Sequence, residues 1–196
     1  MQTTRRIGVI LAAGRGRRMG GTKQLSNVAT PEGPKPLVAA AFDAVRPICD
    51  EMIVVLGHEA EAVAAVLSER PFHRVLSDPD AQMFESIRAG LRAAIAIDEA
   101  ATIVLQPGDQ PQVARPTLDA LIDASHHHPT KAIIPQFGTH GGRPVLIQPN
   151  IAEHLMEGDC PSGLGDFWLA HAELCVRVPV DDPTTLQDVD TLGDLL

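Results

Sequence analysis

Arg15, Arg17, Arg18 and Lys23 are threaded through the glycines of GVILAAGRGRRMGGTKQL, which runs from Gly8 to Leu25. An apolar burst precedes them. Glycine lets backbone N–H groups approach phosphate oxygens and the cations add charge, so this order of residues has the makings of a phosphate cradle. The two commonest cradles do not fit. A P-loop needs Gly-Lys-Ser/Thr, but Lys23 stands between Thr22 and Gln24; the dinucleotide fingerprint needs glycine three places after Gly16, where Met19 stands. Carboxylates are the second group of candidates. Asp109 lies in PGDQP directly after the apolar run TIVLQ, and Asp188 and Asp190 stand two apart in DVDT, on one side of an extended stretch. On spacing alone Asp109 reads equally as a metal ligand or as a turn residue before proline, and Asp190 equally as a ligand or as the cap of a last short helix.

The elements that must carry these residues are legible as apolar runs with helical patterns between them. Strands are expected at Ile7–Leu11, Met52–Leu56, Val75–Leu76, Thr102–Leu105, Ala132–Ile134, Val145–Ile147 and Leu174–Val178. Helical faces are expected from Ala60, Val63, Val66 and Leu67, from Phe84, Ile87, Leu91 and Ile95, and from Leu118, Leu121 and Ile122. The alternation predicts an α/β fold, a three-layer α/β/α sandwich on a mainly parallel sheet, with ligands beyond the carboxyl ends of the strands. The loops after Leu11 and Leu105 are the expected site. Residues 26–36 read as a loop, and His126, His127 and His128 as the polar end of a helix.

With 196 residues, 44% hydrophobic, the chain suits one domain over 1–196. A net charge of −9 argues against nucleic acid and anionic membrane as partners. An anionic ligand must then meet a local concentration of cations. The apolar run after Arg5 and Arg6 is too short for a signal peptide or a membrane span, which predicts a cytoplasmic protein. Cys49, Cys160 and Cys175 lack metal spacing and read as reduced packing residues.

LAAGRGRRMGGTK resembles the signature of the nucleotidyltransferases of Rossmann-like, GT-A-like fold, in particular the small molybdenum-cofactor nucleotidyltransferases. GPKPLVAAAFDAV, MIVVLGHEAEAV, SIRAGLRAAI, PGDQP, GGRPVLI and DVDTLGDLL resemble further family segments in the same order, so the likeness covers almost the whole chain. It implies transfer of a nucleotide from an NTP to a phosphorylated acceptor, molybdopterin above all, with release of pyrophosphate. Because the attacking phosphate is already an anion, catalysis needs alignment and charge neutralisation more than a base. The resemblance gives Arg18 and Lys23 the triphosphate, Asp109 the first Mg²⁺ (or Mn²⁺), and Asp190 or Asp188 a second carboxylate. It gives the backbone of Leu11, Ala12 and Ala13, together with Gly14, Gly16 and Ser86, nucleotide contacts, with Lys35 in GPKPL as a competing phosphate lysine.

Leu-Ala-Ala-Gly resembles the cytidylyltransferase version of the motif and Leu-Ala-Gly-Gly the guanylyltransferase version, so Ala13 favours CTP. The alternatives are GTP, another acceptor such as a sugar phosphate or phospholactate, or a non-catalytic protein that binds and delivers nucleotide or cofactor. The resemblance also suggests contact with a molybdoenzyme or its chaperone. Arg143 departs from the pattern: it stands in GGRPV where cytidylyltransferases usually carry His before Pro, and reads either as an acceptor-phosphate contact or as a surface residue.

Overall fold

The computed structural model describes residues 4–14, 23–78, 80, 82–158 and 163–189. The strands are β1 (Arg6–Ala12), β2 (Asn27–Val28), β3 (Lys35–Pro36), β4 (Glu51–Leu56), β5 (His73–Leu76), β6 (Thr102–Pro107), β7 (Ala132–Phe137), β8 (His140–Gly141), β9 (Val145–Ile147) and β10 (Cys175–Pro179). The helices are α1 (Leu37–Val45), α2 (Ala60–Val66), α3 (Met83–Ile97), α4 (Arg115–His127), α5 (Pro149–Glu157) and α6 (Leu164–Ala170). The main sheet runs β10-β7-β9-β6-β1-β4-β5, with β8 paired to β7, while β2 and β3 form a small antiparallel pair. That pair lies inside the stretch expected to be only loop.

β1 sits between β4 and β6, parallel to both, and its run of Ile, Val and Leu is that of a strand covered on both faces. Successive side chains alternate between two cores. Ile7 and Val9 join Ile53, Val55 and the α3 residues Phe84, Ile87 and Leu91 on one face. Ile10 and Ala12 join Met52, Val54, Leu56 and α1 residues Val38 and Phe42 on the other. The result is the expected α/β/α sandwich.

The sheet is mixed because β9 runs antiparallel to β6, pairing Leu105 with Val145 and Ile103 with Ile147. The reversal matters for the site. It brings the start of β9 to the sheet end where β1, β4 and β6 finish. Among the cysteines, Cys49 is buried and its thiol is pushed up to about 12 by desolvation, so it stays protonated and packs. Cys160 lies outside the described residues. Among the described residues no helix is long and apolar enough to cross a membrane.

Candidate active site

The loop after β1 is seated by two glycines on neighbouring strands' ends. A Cβ on Gly57 would stand 2.5 Å from the Ala13 carbonyl oxygen, and one on Gly108 would stand 2.9 Å from that of Leu11. Only glycine allows this approach. The Gly108 N–H then donates to the Leu11 carbonyl at 2.9 Å, tying the PGDQ turn to the end of β1. Leu11, Ala13 and Gly14 consequently line a cleft of about 240 Å³, with Ser86, Pro107 and Asp109 among the other walls. The Ala12 side chain, by strand alternation, is fully buried in the opposite core, which leaves its backbone as the nucleotide contact expected of it.

Asp109 is the carboxylate that the β6 end presents to the cleft. Lys23, in a 3₁₀ turn over Lys23–Leu25, reaches it across the chain: Nζ lies 2.8 Å from Oδ2, with the lysine side chain 9% exposed and the aspartate 32%. An ammonium so far out of water exerts a stronger field on a nearby anion than a surface lysine would. Gln24 braces the loop by donating from Nε2 to the Gly14 carbonyl at 3.3 Å.

The C-terminal segment comes to the same turn, because the Val189 N–H donates to the Asp109 carbonyl at 3.0 Å. Asp188 accepts from Gln110 Nε2 at 2.5 Å and lines a neighbouring cavity with Val28 and Gln112, whereas the cleft wall is Asp109. Among the described residues no group of three or more metal-ligating side chains forms. Asp190, Arg18 and Gly16, which the sequence offered as ligand, triphosphate cation and nucleotide contact, lie outside the described residues.

Ser86 is buried on α3, its Oγ 3.0 Å from Ser77 Oγ, and it faces the cleft together with Leu11. Lys35 lies apart from the cleft. Its ammonium is held by Glu32 at 2.6 Å and Asp43 at 2.9 Å, it lines a separate cavity with Thr30 and Ala114, and those two hydrogen bonds raise its pKa. Asp43 is in turn gripped by Arg70 through both Nε and Nη2; burial pushes its carboxyl up, but the Arg70 and Lys35 bonds outweigh burial and hold it low. Lys35 therefore anchors α1 away from the cleft.

The cleft also contains residues that the sequence did not single out: Gln24, Asp78, Met83 and Leu164. Asp78 follows the end of β5, so the rule that ligands gather beyond strand ends would have flagged it. Met83 is 64% exposed at the start of α3, a placement that no periodicity announces.

A comparison with protein families matches residues 8–174 to the MobA-like NTP transferase domain. The chain belongs to that family. It is a nucleotidyltransferase, and the match spans every described wall of the cleft. A curated relative of this MobA-like protein, the molybdenum cofactor guanylyltransferase of Pseudomonas aeruginosa, is 33% identical over 149 residues, covering 76% of this chain and 69% of the relative. Among solved structures, Rv0371c of Mycobacterium tuberculosis superposes with a TM-score of 0.79 at 29% identity over 97% of this chain and 96% of that one. A manganese complex of Rv0371c superposes with a TM-score of 0.74 at 27% identity, over 97% and 96% of the two chains.

Proposed function

We propose that this MobA-like protein transfers GMP from GTP to the phosphate of molybdopterin and releases pyrophosphate. The observation that carries the transfer is the Lys23–Asp109 pair, 2.8 Å apart, whose aspartate lines the cleft with Leu11, Ala13, Gly14 and Ser86. The choice of base rests on the guanylyltransferase name of the P. aeruginosa relative. An acceptor phosphate oxygen attacks the α-phosphorus, the bond from that phosphorus to the bridging oxygen breaks, and pyrophosphate leaves. Lys23 neutralises triphosphate charge during this exchange, a role that the resemblance of the loop extends to Arg18, with Gly16 as a nucleotide contact.

The metal implied by the family fits the residues present. Asp109 is a hard oxygen donor opening on the cleft, which suits Mg²⁺ or Mn²⁺, and a relative at 27% identity is described in complex with manganese. Asp109 would hold it, with Asp190 favoured over Asp188 as the second carboxylate; the ion would supply Lewis-acid neutralisation of the phosphates. CTP is the second reading, favoured by Ala13 in Leu-Ala-Ala-Gly.

Pyrophosphate release with Mg²⁺ from GTP, CTP, ATP and UTP, with and without molybdopterin, tests the proposal, with Asp109→Asn as control. Molybdopterin-dependent release from GTP, lost in the control, is expected. Release from CTP alone restores the pyrimidine reading, and binding without release from any nucleotide favours a delivery role.

A further inference from the structure

We propose that Arg143 is the acceptor-binding residue, holding the acceptor's phosphate group by its guanidinium; this rests on the transfer reading above. Its backbone is fixed before any ligand arrives. The Arg143 N–H donates to the Thr185 carbonyl at 2.9 Å, and the adjacent Gly142 N–H donates to the Pro135 carbonyl at 2.7 Å. The antiparallel register pairs Val145 with Leu105, so Arg143, two residues earlier, is level with Pro107 at the root of the Asp109 turn. Both Arg143 and Asp109 line the cleft.

The side chain is underused where it lies. Its one hydrogen bond among the described residues runs from Nη1 to the Gly142 carbonyl at 3.0 Å, and no ion pair is formed with any described carboxylate. It is nevertheless half-buried. Burial pushes its pKa down, and only the field of Asp188 opposes that. A guanidinium partly out of water with most of its five donors unspent is stabilised by an anion, and its planar fork fits two phosphate oxygens at once. The two cations reach the Asp109 turn from different sides. Lys23 comes from a turn packed on α1 and α2, Arg143 from the head of β9. That separation suits two anions meeting at one centre: the triphosphate on the lysine side and the incoming phosphate on the arginine side.

Steady-state kinetics of Arg143→Ala and Arg143→Lys with GTP and molybdopterin test this. Arg143→Ala is expected to raise the KM for molybdopterin about 10- to 100-fold while the KM for GTP stays within about threefold. Arg143→Lys, which keeps charge but loses the fork, should fall between. A rise in the GTP KM instead, or an unchanged molybdopterin KM, overturns the assignment. A second measurement uses no turnover: with GTP saturating, inorganic phosphate should raise the Tm of the wild type over chloride at equal ionic strength, and Arg143→Lys should weaken that shift. An equal shift in both proteins overturns it too. Wild-type protein that shows the phosphate shift but no molybdopterin-dependent release would instead refute the transfer reading alone.

Discussion

Lys23 keeps 9% of its side chain exposed while its ammonium meets Asp109 at 2.8 Å, so a charge-neutralising group is already held on a wall residue of the cleft before substrate binds. Pre-organised charge in a site of reduced dielectric is worth several kcal/mol to a transition state that concentrates charge on phosphate oxygens. Lys23→Met is therefore expected to lower kcat about 100-fold or more in the pyrophosphate-release assay. Lys35→Met is the contrast. It should leave kcat within about threefold and cost about 1 kcal/mol of stability or less, because its partly exposed ion pairs serve α1 and Arg70 still holds Asp43. Sequence type made the two lysines equal candidates. Their partners separate them.

Among the elements, α4 shows how distant segments complete one another. Its N-cap residue is Ala114, which has no side chain to cap with, and the missing acceptor comes from Asp182, far along the chain. Asp182, 5% exposed, accepts from the Ala114 N–H and Thr117 Oγ1, each at 2.8 Å, and from the Thr184 N–H at 3.1 Å. Burial pushes its carboxyl up, but the Thr184, Ala114 and Thr117 hydrogen bonds outweigh burial and hold it below the usual carboxylate range. A depressed carboxylate contributes stability above its unfolded value, and that contribution is lost as pH falls through the folded value. Asp182→Ala should thus cost about 2–4 kcal/mol in urea unfolding at pH 7, with the difference from wild type shrinking toward pH 3. Periodicity found the helix from Leu118, Leu121 and Ile122, but no local pattern could reveal a cap contributed some 68 residues away.

For the whole molecule, the two cores lie on opposite faces of one sheet and share its strands, so neither can melt while the other stays packed. Trp168, the only tryptophan, is 3% exposed in one of those cores. Its fluorescence and far-UV circular dichroism should report coincident urea transitions; separated midpoints would divide the chain into more than one folding unit. A chain of net charge −9 binds a polyanion only by concentrating cations at one place, and among the described residues Lys23, paired with Asp109, and Arg143, in the same cleft lining as Asp109, are the two so placed.

The sequence by itself determined the layer order, the strands from Ile7, Met52 and Thr102, the family, and Asp109 with Lys23 as candidates, because two-sided burial writes continuous apolar runs and tight turns demand glycine. Boundaries shifted by up to about three residues: β1 extends to Arg6 and Ala12, β5 begins at His73, β6 runs on to Pro107 and β7 to Phe137, and the last strand begins at Cys175 after a 3₁₀ turn. Tertiary structure alone decided that Lys35 faces Asp43, that Gln24 and Asp78 reach the cleft, and that Arg143 lines it together with Asp109. Each of these depends on pairing between residues distant in the chain. A reversed strand such as β9 changes which end of the sheet a side chain occupies without altering the hydrophobic pattern from which it is read.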